Sequence, residues 1–142
     1  MGDRVQVYFP ETGVYLYSHW NGDDIIGDVF RALNKKWRWS DAEYLARIVF
    51  DEMVGDAQMG ELSYGIGTRQ HSDVTRVVEV DTKNQKIRLI KGVPENMMKW
   101  WEEHSEKTGE ETPEFIKVAK PIWDGTFAEF IADPPHTFYG EY

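Results

Sequence analysis

The sequence contains no cysteine, which excludes disulfides, thiolate zinc sites and cysteine nucleophiles at once. No apolar run approaches the roughly 18 residues of a membrane-spanning helix, and no basic-then-apolar stretch like a signal peptide opens the chain. Membrane spanning and secretion are therefore not expected, and the expected setting is a cytoplasm. Basic residues are few, with 16 Lys+Arg against 25 Asp+Glu and a net charge of −9. The imbalance is uneven: residues 95–142 carry 4 basic and 11 acidic side chains, whereas residues 1–94 carry 12 and 14. Such a surface repels a nucleic-acid backbone, so no nucleic-acid partner is expected. Solubility explains the acidity, and so does mimicry of phosphates toward a host protein that docks on the acidic C-terminal face.

Motifs that carry chemistry are also missing. No H-E-x-x-H metal motif and no nucleophile elbow occur, and Gly65-Ile66-Gly67 lacks the third glycine of a dinucleotide fingerprint. Ser18 and His19 are neighbours and point to opposite faces of an extended strand, the wrong geometry for a dyad. A set of His19, His71 and Asp73 has suitable donors for a divalent ion but no ligand spacing, so no metal and no cofactor are assigned. No catalytic residue is assigned either.

What is present is apolar and aromatic. Hydrophobic residues make up 41% and aromatics 14% of 142 residues, enough for a real core in a single domain spanning residues 1–142. A subdivision near residue 92 matches the shift in charge. "DRVQVYFP" and "GVYLYSHW" read as a hairpin around Pro10-Glu11-Thr12-Gly13. Ile26, Val29, Phe30 and Leu33 recur at helical spacing behind acidic residues. "WSDAEYLARIVFDEMVGD" is the clearest helix, with Ser40 and Glu43 at capping-box spacing and Gly55 at its end. "TRVVEV" and "KIRLI" form a second hairpin with Val78, Val80, Ile87 and Leu89 in the core. Pro94 opens a third helix carrying Met97, Trp100, Trp101 and His104, and "EFIKVA" and "TFAEFIA" read as strands. The expected fold is α+β, a mainly antiparallel sheet built from hairpins and packed with about three helices.

Two stretches stand out as candidate sites. In residues 14–19 strand alternation sends Val14, Leu16 and Ser18 to one face, and Tyr15, Tyr17 and His19 to the other, beside Trp20. This polar aromatic face can stack on and hydrogen-bond a planar ligand, or lie beneath another segment. In residues 60–73, Gly65 and Gly67 allow close backbone approach, and Arg69, His71 and Asp73 alternate so that all three share one side of an extended segment. An Arg and a His together suit a phosphate. "KKWRW", residues 35–39, is the one basic-aromatic stretch; it can stack on a base, or act as a staple closing a helix–helix turn. Of adjacent Trp100 and Trp101 only one can face the core, and the other suits a homo-oligomer face.

Through Tyr17-Ser18-His19-Trp20 with Gly22, the "YLARIVFDEM" run at residues 44–53 and Tyr64-Gly65-Ile66-Gly67 with Asp73, the chain resembles a family of small uncharacterised bacteriophage and prophage proteins. The resemblance covers about residues 14–90 and brings no established activity. It implies an accessory role in a mobile element, in the host cytoplasm, of the kind that counters host defence. The expected function is binding of a small molecule, a nucleotide or nucleotide-derived signal, by Tyr15, Tyr17, His19, Trp20, Arg69, His71 and Asp73. The alternatives are an acidic protein-binding inhibitor or nucleic-acid mimic, and a small hydrolase using His19 or His71 as base.

Overall fold

A computed structural model of the chain describes residues 4–19, 24–55, 64–71, 74, 76–91 and 121–135. Among them, the order of elements is β1 (Val5–Phe9), β2 (Val14–Ser18), α1 (Ile25–Asn34), α2 (Ala42–Val54), β3 (Tyr64–Gly67), β4 (Arg76–Asp81), β5 (Lys86–Lys91), β6 (Pro121–Thr126) and α3 (Phe127–Ala132). The strands form one sheet in the order β3-β2-β1-β4-β5-β6. Every pairing is antiparallel except β1 with β4. The fold is α+β with a mostly antiparallel sheet. No described helix is long and apolar enough to cross a membrane.

Both expected hairpins form, each for a local reason. Between β1 and β2 the amides of Thr12 and Gly13 donate to the Phe9 carbonyl at 3.2 and 2.8 Å, and Gly13 takes φ 73°, a conformation glycine adopts freely. Between β4 and β5 the Asp81 carboxylate accepts from the backbone and side-chain nitrogens of Asn84, at 3.1 and 2.8 Å. The parallel β1–β4 pair is the part hairpins cannot make. Parallel neighbours need a long crossover, and the chain supplies it by passing through α1, α2 and β3 before returning beside β1.

The described helices lie on one face of the sheet, where Val7, Phe9, Leu16, Val78, Ile87 and Leu89 are buried against Val29, Leu33, Leu45 and Val49. Helix α2 starts one residue later than the Ser40 cap expected from spacing. Asp41 takes the extended N-cap conformation and its carboxylate accepts from the Tyr44 amide at 3.4 Å. Gly55, at φ 53°, ends it as expected. The basic-aromatic turn does act as a staple, through Trp39: its indole N–H donates to the Leu33 carbonyl at 3.0 Å and its ring meets Phe127 edge-on at 5.5 Å.

One element differs in type from expectation. "TFAEFIA" is not a strand; Thr126 closes β6 and caps α3. The Thr126 hydroxyl accepts from the Glu129 amide at 3.0 Å, and the Glu129 carboxylate accepts from the Thr126 amide at 2.9 Å. This capping box satisfies two orphan donors and turns the chain into a helix, which buries Phe127 and Phe130 over the sheet. The expected helix from Pro94, the "EFIKVA" run, Trp20 and Asp73 lie outside the described residues.

Candidate functional site

The face of the sheet away from the described helices carries the candidate site, and strand register builds it. Paired residues share a face, so two rows of side chains cross the sheet. One row reads Gly67, Tyr15, Tyr8, Glu79, Arg88 and Asp124 from β3 to β6; the next reads Gly65, Tyr17, Gln6, Val77, Ile90 and Pro121. The centre of both rows is dry. Tyr8, Tyr15, Val77 and Ile90 form a second apolar cluster with Val74, separate from the core under the helices.

Tyr15 belongs to that packing. It is 1% exposed and stacks on Tyr8 at 4.3 Å, so it is the inner wall rather than part of a surface that a ligand touches. The expected alternation is otherwise observed: Leu16 and Ser18 are buried on the helix side, and Tyr17 faces the opposite way, half-buried.

Tyr17 is where the two sequence stretches meet. Its ring stacks on that of His71 at 4.8 Å with 26° between planes. Its hydroxyl shares a hydrogen bond of 3.2 Å with His19 Nδ1, and the tautomer of the imidazole sets which of the two donates. Three of the expected residues, Tyr17, His19 and His71, are thus one contiguous group. Arg69 is close by in the chain, and its side chain is exposed. The expected alternation of Arg69 and His71 along an extended segment is not what joins them: the chain leaves β3 at Gly67, and the His71 carbonyl accepts from the Val74 amide at 3.2 Å in a turn.

Gln6 sets the position of that segment, and sequence reasoning missed it. Only 1% exposed, it uses both ends of its amide on the backbone of the segment 63 and 65 residues away. Its Nε2 donates to the Arg69 carbonyl at 3.2 Å, and its Oε1 accepts from the His71 amide at 2.9 Å. A lone glutamine in a β-rich run carries no signal of such a role. The residue has to be seen between Tyr17 and Val77 in the row.

Beside Tyr17 the outer strand carries glycines in place of side chains. Gly65 and Gly67 lie on this face at the outer strand, next to Tyr17 and Tyr15. A Cβ at Gly67 would meet nothing within 4 Å, and one at Gly65 would only touch Tyr17 at 3.9 Å. The glycines are therefore not there to relieve a clash. Among the described residues they leave backbone without side chains next to the Tyr17–His71 stack.

Further along the rows the chemistry becomes ionic. Arg88 Nη1 lies 3.2 Å from a Glu79 carboxylate oxygen. Burial pushes the Glu79 carboxyl above its usual range, Arg88 opposes this, and the nearby Asp81 and Asp124 add to it. Among the described residues no three His, Asp or Glu side chains gather in reach of one metal ion.

Two cavities lie elsewhere, and neither was foreseen. An open one of about 520 Å³ at the start of α2 is lined by Glu11, Thr12, Arg38, Ser40, Asp41, Ala42 and Glu43. A smaller one of about 270 Å³ is formed by Ile26, Gly27 and Phe30 with Asp133, Pro134 and Pro135. The first holds three carboxylates against one guanidinium, a poor balance for a phosphate, and neither includes a residue of the Tyr17 group. Comparison with known proteins returns no family model, curated protein or solved structure that matches this chain.

Proposed function

We propose that the protein binds a small planar anion, a nucleotide or a nucleotide-derived signal, on the backbone of Gly65 and Gly67 beside Tyr17, His19 and His71. The observation that carries the reading is the stack of Tyr17 on His71 with His19 hydrogen-bonded to the same tyrosine, next to backbone without side chains. Aromatic edges and imidazole nitrogens suit a base or ribose, and the exposed Arg69 guanidinium suits a phosphate through charge-assisted hydrogen bonds. Trp20 and Asp73 extend the same site on the sequence reading. Tyr15 supports it from within.

Binding is preferred to catalysis because Ser18, the nearest hydroxyl in sequence to His19, is fully buried on the helix side of the sheet. Hydrolysis by His19 would need a nucleophile or water placed beside its ring, and its hydrogen bond to Tyr17 instead serves the stack. With the likeness to phage proteins, the reading becomes an accessory protein in the host cytoplasm that sequesters a signal and so counters host defence. The second reading, a protein-binding inhibitor or nucleic-acid mimic, rests on the excess of 11 acidic over 4 basic residues in 95–142.

The test is thermal unfolding of the pure protein against a panel of mono-, di- and cyclic nucleotides, repeated with His19→Ala and Arg69→Ala. A ligand that binds only the folded state raises the melting temperature by mass action. A rise with one ligand class that disappears in both variants supports the reading. A stable wild type that responds to no member of the panel overturns it and directs attention to the acidic face, where charge reversals among Glu102, Glu103, Glu106, Glu110 and Glu111 would then abolish partner binding.

A further inference from the structure

We draw no further inference here: the strongest candidate, the exposed surface patch of Trp37 and Tyr44 around the turn between α1 and α2, carries nothing, because Arg38 shares the adjoining cavity with the carboxylates of Glu11, Asp41 and Glu43, so charge selects no class of partner, and nothing in the structure shows what covers the patch.

Discussion

Replacing Gln6 by leucine should loosen the segment that carries His71 while leaving the sheet in place. Leucine is close in volume and is accepted by the strand, but it removes both hydrogen bonds that fix the backbone at Arg69 and His71. A typical intramolecular hydrogen bond contributes about 0.5–1.5 kcal/mol net, so the pair contributes about 1–3 kcal/mol. Arg69 and His71 are exposed residues, and water can replace the lost partners once the segment lifts. That favours the lower half, about 1–2 kcal/mol. With a urea m-value of about 2 kcal/mol/M for a small protein, the unfolding midpoint falls by about 0.5–1 M. The assay is urea unfolding followed by circular dichroism, paired with hydrogen exchange at the His71 amide. The reasoning predicts that His71 loses its protection while amides in β1 and β4 keep most of theirs. A midpoint unchanged within error, with the His71 amide still protected, would refute the view that Gln6 holds this segment.

Other outcomes follow from the same structure. A Cβ at Gly125 would lie 2.6 Å from the Trp123 ring, and that ring packs edge-on against Phe130 at 5.6 Å. Gly125→Ala should therefore destabilise the protein by about 1–3 kcal/mol through forced repacking, whereas Gly67→Ala, which meets nothing, should leave the melting temperature nearly unchanged. Glu79 has a carboxyl raised in the folded state, so the native protein binds more protons than the unfolded chain between the two pKa values. Its contribution to stability is present at low pH and is lost as pH rises through that window. Glu52 is the opposite case, lowered chiefly by its hydrogen bond from Lys35 and also by Arg31. Its contribution is present above the ordinary carboxylate range and is lost as pH falls through its folded value. Carboxyl titration by NMR should find Glu79 above and Glu52 below the usual range. The reverse order would contradict the packing described.

How much of this was legible beforehand depended on whether the cause was local. The hairpin at Pro10–Gly13 could be read because proline and glycine punctuate it, and the faces of β2 because alternation is a property of five consecutive residues. Helix α2 could be read from its stripe, but Asp41 rather than Ser40 caps it, since two adjacent capping residues compete and only backbone geometry decides between them. "TFAEFIA" is a short apolar run, and periodicity alone does not separate strand from helix at that length. The Thr126–Glu129 spacing was the available signal for a helix. The meeting of Tyr17 with His71 was suggested only by residue type. It depends on β2 pairing with β3 and on Gln6 reaching across from β1, and both are long-range consequences of register. The parallel β1–β4 pair is likewise a product of the crossover, and the cavities form where segments distant in sequence meet, with no local mark.

The most direct test of the binding account is an NMR titration of the labelled protein with whichever nucleotide stabilises it, alongside Gly67→Leu. A Cβ at Gly67 meets nothing within 4 Å, so the variant should fold, which an unchanged melting temperature verifies, while its side chain covers backbone beside Tyr17. The account predicts amide shifts concentrated at Tyr17, His19, Gly65, Gly67, Arg69 and His71 in the wild type, and their loss in Gly67→Leu. Shifts centred instead on Arg38, Ser40 and Asp41 at the start of α2, unaffected by Gly67→Leu, would contradict it.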